Sequence, residues 1–211
     1  MCAPMSGGTV AGVLDYYEQL WARLPDELVA PDFDRRLAFL LRAAAAGQRA
    51  LDLGCGTGDF TAALARAGVN AVGADIAHAA IDRASRRHPD VQFHVVPLDG
   101  PLPFEDGAFE LVWASEVIEH VADTAVWLSE VRRVLVPGGR LLLTTPSHGR
   151  VPVFVRGVDR FSEPLGDHLH LYTRRSLAQL LHEFGFGSIR VRAVGGVPVV
   201  WRTSLWADAS R

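Results

Sequence analysis

Arg49-Ala50-Leu51-Asp52-Leu53-Gly54-Cys55-Gly56-Thr57-Gly58-Asp59-Phe60 takes a short apolar run through an acidic residue into three alternate glycines and then a helical pattern. Strand, glycine loop and helix in that order build the nucleotide-binding corner of an α/β domain. Glycines let the backbone come close to a ligand, because a Cβ fills that space and resists the positive φ that tight turns use. The spacing then selects the ligand. A dinucleotide fingerprint requires a third small residue at position 59, where this chain has Asp59. An acidic side chain at a helix start also repels a pyrophosphate. A ligand with an adenosine half and an ammonium-bearing half suits the loop better: Asp52 can accept from the ammonium while Gly54, Gly56 and Gly58 pass under the ribose.

Working outward, strand and helix patterns alternate: strands at Ala50–Leu53, Ala71–Ala74, Val91–Val96, Leu111–Ala114 and Arg140–Thr145, with helices up to Ala67, from Ala77 to Arg87 and from Asp123 to Leu135. Such alternation predicts a parallel sheet covered on both faces. Helical periodicity before the sheet, over Val13–Leu24 and Phe33–Ala46, is interrupted by Pro25 and Pro31. After it come a helix over Thr173–Phe184 and two strands, Ser188–Val194 and Val197–Leu205, which the Gly195-Gly196 pair joins into a tight antiparallel hairpin. The chain is expected to be one domain, with residues 1–48 as helices covering the site and 49–211 as the core. The stretch 146–172, rich in Pro, Gly, Arg, Phe and His, breaks the rhythm and is expected to be a substrate cap at the carboxyl edge of the sheet.

Leu51-Asp52-Leu53-Gly54-Cys55-Gly56-Thr57-Gly58 resembles the first motif of class I S-adenosylmethionine-dependent methyltransferases. Gly73-Ala74-Asp75-Ile76 resembles the acidic end of their second strand, and Leu102-Pro103-Phe104-Glu105-Asp106-Gly107-Ala108-Phe109-Glu110 the lead into the fourth. Ser115-Glu116-Val117-Ile118-Glu119-His120-Val121 resembles the helix that follows, and Leu135-Val136-Pro137-Gly138-Gly139-Arg140-Leu141 the turn into strand five. Five ordered matches imply a Rossmann-like, seven-stranded, mostly parallel sheet with an antiparallel terminal strand. They imply S-adenosylmethionine as cofactor and its demethylated product, S-adenosylhomocysteine, after transfer. The subfamily they resemble methylates quinone precursors and other small molecules.

On that resemblance, Asp75, 17 residues after Gly58, accepts from the ribose hydroxyls, and Ile76 packs on the adenine. Asp99-Gly100 meets the adenine amino group, Ala114, Ser115 and Glu116 lie beside the methionyl part, and Cys55 belongs to the cofactor-binding glycine loop. Tyr17 (or Tyr16) closes over the cofactor from the N-terminal helix. His120 is the first candidate for general base and His168 or His170 the second, since imidazole titrates near working pH. Arg150, Arg156 and Arg160 are candidates to meet an anionic acceptor group. No metal is expected, because His168 and His170 with Asp167 lack a well-separated further ligand. O-methylation is the first expectation; C- or N-methylation and a non-catalytic cofactor-binding protein are the alternatives. Asp59 and the terminal hairpin disfavour a nicotinamide oxidoreductase.

Every basic residue among the 211 is arginine, so lysine Schiff bases and P-loop lysines are excluded. The net charge of −3, without blocks of like charge, argues against a nucleic-acid surface. Cys2 and Cys55 cannot form a disulfide framework, which predicts a reducing, cytoplasmic setting. Met1–Val13 does not read as a signal peptide, and no apolar run approaches a bilayer span. A small-molecule partner is expected, and a monomer or homodimer.

Overall fold

The computed structural model describes residues 10–25, 30, 32–98, 100–148, 168–195 and 204–211. Helices α1 (Val10–Arg23) and α2 (Phe33–Leu41) precede β1 (Arg49–Leu53), α3 (Asp59–Arg66), β2 (Asn70–Asp75), α4 (His78–Arg87), β3 (Gln92–Val95) and β4 (Phe109–Ser115). They are followed by α5 (Thr124–Val134), β5 (Leu135–Pro146), α6 (Arg174–Glu183), β6 (Gly187–Val194) and β7 (Ser204–Ser210). The seven strands lie in the order β3-β2-β1-β4-β5-β7-β6. Pairs among β1 to β5 are parallel, and β7 runs antiparallel to both β5 and β6.

Strand alternation divides the interior into two layers. Leu111 and Trp113 of β4 point to the face covered by α2 and α3, where Leu40, Phe60 and Leu64 pack with Leu142. Val112 and Ala114 point to the opposite face, against Leu128 and Val131 of α5 and Leu177 and Leu181 of α6. Both faces are apolar because both are covered, as a parallel sheet requires. Side chains set the helix starts. Asp123 Oδ1 accepts from the amides of Ala125 and Val126, and Thr173 with Ser176 forms a reciprocal capping box.

Two sequence expectations change. The helix expected over Phe33–Ala46 ends at Leu41, although alanines follow. The chain must turn there to enter β1, and the Gln48 side chain holds that turn by accepting from Ala45 N at 2.8 Å, so tertiary need overrides helix propensity. The helix expected over Ser115–Val121 is instead the end of β4 and a turn at Ile118–His120. Glu116 takes a positive φ of 57°, which breaks the helical path. The last described strand is Ser204–Ser210, antiparallel to β6; residues 196–203, which hold Gly196 and most of the strand expected over Val197–Leu205, lie outside the described residues. The cap over 146–172 lies there too, from 149 to 167, with Arg150, Arg156, Arg160 and Asp167.

Candidate active site

Strands β1 and β4 are neighbours although β2 and β3 come between them in sequence, so the chain diverges at their carboxyl ends and leaves a crevice. A cavity of about 360 Å³ opens there, within the range of small-molecule sites. Its floor is the glycine loop. Gly54 N and Cys55 N both donate to Ala74 O, at 2.7 and 2.9 Å, and Gly56 N donates to Asp75 Oδ2 at 3.0 Å. Gly56 has φ +51°, and a Cβ there stands 2.7 Å from the Trp21 ring; Gly58 has φ +76°, and its Cβ meets Phe93 at 2.6 Å. Both positions therefore require glycine twice over, by conformation and by space.

Asp75 lines the cavity at the end of β2 and is buried. Its other oxygen accepts from Ala77 N at 3.1 Å, so the carboxylate anchors both the loop and the start of α4. Burial raises its pKa, and the backbone donors work against that rise. Gly54, Cys55, Gly56, Ile76, Ser115, Glu116, His120 and Tyr17 all line the same cavity. Burial pushes the Cys55 thiol well above its usual range, so it is a wall rather than a nucleophile.

Other expected residues stand elsewhere. Asp52 does not line the cavity: it is buried under the loop, where Oδ2 accepts from Thr61 Oγ1 at 2.6 Å, and desolvation pushes its pKa up to about 7. Gly58 packs behind the loop, Gly100 is exposed away from the cavity lining, and Asp99 lies outside the described residues. Asp59 lines the cavity at the first residue of α3, with Arg87 Nε and His88 Nε2 each 3.1 Å from its carboxylate, so the helix start already holds its anion.

Arg36 is a cavity residue that the sequence reading did not single out. It is buried and lines the cavity; Nη1 donates to Ser115 Oγ and Nη2 meets Glu116 Oε1, both at 3.1 Å. Thr144 Oγ1 donates to the same Glu116 oxygen at 2.9 Å. Burial raises the Glu116 pKa, and Arg36 opposes the rise. The signal was present, since Arg36 lies at helical spacing between Phe33 and Leu40 on the face that packs inward.

Helix α1 roofs the crevice through Tyr17, Leu20 and Trp21, with Leu24 just after its end. Two reciprocal caps fasten it to α4. Glu18 accepts from His78 N and Ala79 N at 2.6 and 3.0 Å, satisfying the start of α4, while Arg83 donates to the carbonyls of Trp21 in the last turn of α1 and of Leu24 and Pro25 beyond it.

The histidines diverge. His120 reaches the cavity, with its ring edge-on to Tyr17 at 6.4 Å. His170 Nε2 bonds the Val121 carbonyl at 2.9 Å and does not line the cavity. His168 stands behind His120, their rings 5.1 Å apart, and desolvation with the nearby His120 and His148 lowers its pKa to about 4. At that value it is a weak proton acceptor, and of the three candidate histidines His120 is the one that lines the cavity.

Residues 20–190 match the family described as a methyltransferase domain. The chain belongs to the class I S-adenosylmethionine-dependent methyltransferases. It is 34% identical over 154 residues to a demethylmenaquinone methyltransferase of Clavibacter sepedonicus, covering 72% of this chain and 58% of that protein. A demethylmenaquinone methyltransferase of Beutenbergia cavernae is 33% identical over 176 residues, covering 74% and 73%. The chain thus spans little more than half the length of the Clavibacter relative. Among solved structures, the [4+2]-cyclase SpnF superposes with a TM-score of 0.74 at 18% identity, covering 96% of each chain. That likeness shows the methyltransferase fold alone. Among the described residues, no helix is long and apolar enough to cross a membrane.

Proposed function

We propose that this chain binds S-adenosylmethionine and transfers its methyl group to an oxygen of a small, largely apolar acceptor of the phenol or hydroquinone kind. The observation that carries the reading is the composition of one crevice. Its floor offers the glycine loop and the Asp75 carboxylate, while its far wall offers His120 among Trp21, Leu102 and Trp127. Asp75 is suited to the ribose hydroxyls, Ile76 to the adenine face, and the Arg36–Glu116 pair to the charged methionyl end, where a guanidinium attracts the carboxylate and an acid the ammonium.

Transfer from a sulfonium is an in-line displacement, and the bound cofactor supplies the activated methyl group. The protein's work is to align the acceptor, exclude water beneath α1 and take up the acceptor proton at the His120 ring. Relatives named for demethylmenaquinone support a ring-bearing acceptor. Methylation at a ring carbon is the second reading, favoured because Glu119 Oε1 stands 3.9 Å from His120 Nε2 and a carbon acceptor also loses a proton.

The test is turnover of methyl-labelled S-adenosylmethionine against hydroquinones, catechols and simple phenols, with products read by mass spectrometry and NMR. An O-methyl product, with kcat lowered roughly a hundredfold or more in His120→Ala, supports the proposal. A C-methyl product selects the second reading. Tight cofactor binding without any transfer across the panel overturns both in favour of a binding protein.

A further inference from the structure

Glu119 is completely buried, yet only one of its carboxyl oxygens is hydrogen-bonded. Oε2 accepts from Thr145 Oγ1 at 2.9 Å, while Oε1 has no hydrogen-bond partner among the described residues. A buried polar atom of this kind needs a partner. It faces His120 Nε2 at 3.9 Å, and His168 stands against His120. One oxygen and two imidazole nitrogens, contributed by Glu119, His120 and His168, lie within 4.8 Å of one another. Ligands roughly 2.0–2.1 Å from a tetrahedral centre stand roughly 3.3 Å apart, so small side-chain rotations bring all three onto one ion.

We propose that Glu119, His120 and His168 form a binding site for a divalent transition-metal cation of the zinc type. The donor set decides the class. Two imidazoles with one carboxylate suit Zn²⁺ and its neighbours, whereas Mg²⁺ takes oxygen ligands. Neighbouring residues define the limits of the set. Glu116 is engaged by Arg36 and Thr144, and His170 by the Val121 carbonyl. His148 packs edge-on to His168, its ring 5.5 Å away, but its Nδ1 accepts from Tyr172 N. A neutral His148 therefore carries its proton on Nε2 and acts there as a donor rather than a ligand. The Thr145 hydroxyl orients Glu119 from outside the ligand set.

Sequence alone pointed away from a metal because it grouped His168 with His170 and Asp167. The fold turns His170 aside and brings His168 to a carboxylate and an imidazole from the turn after β4. Three protein ligands leave a coordination position open, and His120 also lines the cavity, so the ion belongs at its edge. An acceptor hydroxyl bound at that position becomes more acidic. Its proton leaves to solvent, the oxygen lone pair forms the bond to the methyl carbon, and the carbon–sulfur pair stays on sulfur. That consequence rests on the methyl-transfer reading, and it moves activation of the hydroxyl from the His120 ring to the ion. Cation binding itself does not depend on that reading.

The experiment uses the full chain without a polyhistidine tag, stripped with chelator and titrated calorimetrically with Zn²⁺, with Co²⁺ visible absorption as a second readout. One ion per chain is expected, weakened about tenfold or more in His168→Ala and in Glu119→Gln, and roughly tenfold to a hundredfold in Thr145→Val. Absence of stoichiometric binding to the wild type overturns the proposal, as does unchanged affinity in the folded variants. His168 is half-buried, so His168→Ala alone decides if Glu119→Gln fails to fold. S-Adenosylmethionine titrations on the same samples separate the two readings: cofactor binding without cation binding sinks only the metal site.

Discussion

The floor of the crevice is made of backbone, whereas its far wall is made of side chains. On the floor, glycines 54 and 56 and one carboxylate sit at the ends of two adjacent parallel strands, and amide donors fix their positions at 2.7 to 3.1 Å. On the far wall, Tyr17, Trp21, Arg36, His120 and Trp127 come from α1, α2, the turn after β4 and α5. Local chain geometry thus sets the floor, and assembly of distant elements sets the wall that faces it. The fold can hold the first constant while the second varies, which is how one fold serves many acceptors.

The sharpest way to break this comparison is at its most constrained atom. Asp75→Ala removes the acceptor for Gly56 N and Ala77 N together with the proposed ribose contact, and S-adenosylmethionine affinity by calorimetry is expected to fall about a hundredfold, on the order of 3 kcal/mol. Unchanged affinity would mean that the floor is not where the cofactor lies. Next in size is Gly56→Ala. The new Cβ meets Trp21 at 2.7 Å in a left-handed backbone that costs a non-glycine residue roughly 1–2 kcal/mol, so binding should weaken about tenfold with a lower Tm. Retained affinity would show that α1 lifts freely.

The smallest effect tests the buried carboxyl beside His120, behind the other wall. Burial first, and then the neighbouring Glu116, push the Glu119 pKa from 4.5 up to about 8. Between those values the folded chain keeps a proton that the unfolded chain releases. The stability from this group is therefore complete below the lower value, falls as pH rises, and is gone once pH passes about 8. In chelator, Glu119→Gln should show a flatter Tm against pH from about 5 to 8 than the wild type, with cofactor affinity spared. A parallel slope in both proteins would place the titrating group elsewhere, Asp52 being the next candidate.

These differences also explain what could be read from the sequence. Strand β1, the glycine loop and Asp75 were legible because each depends on residues within a few positions of itself. Arg36 was not, although its spacing placed it on an inward face, because its value depends on Ser115 and Glu116 lying opposite. Asp52 was read toward the ligand because its place in the motif is next to the loop. Strand alternation turns its carboxylate down to Thr61 instead. The turn at Ile118–His120 was read as helix because the backbone reversal at Glu116 leaves no mark in composition. His168 and His170 look equivalent in sequence, and only the register of their segment against Glu119 and Val121 separates them.

Strand β7 lies between β5 and β6, although it is made after both. All the ladder bonds joining β6 to the sheet therefore pass through a strand that has not yet left the ribosome when β6 emerges. During synthesis the parallel half of the sheet, with its glycine loop, can close first, whereas β6 must wait as an unpaired strand. Until β7 is in place, the backbone groups of β6 are offered to other chains.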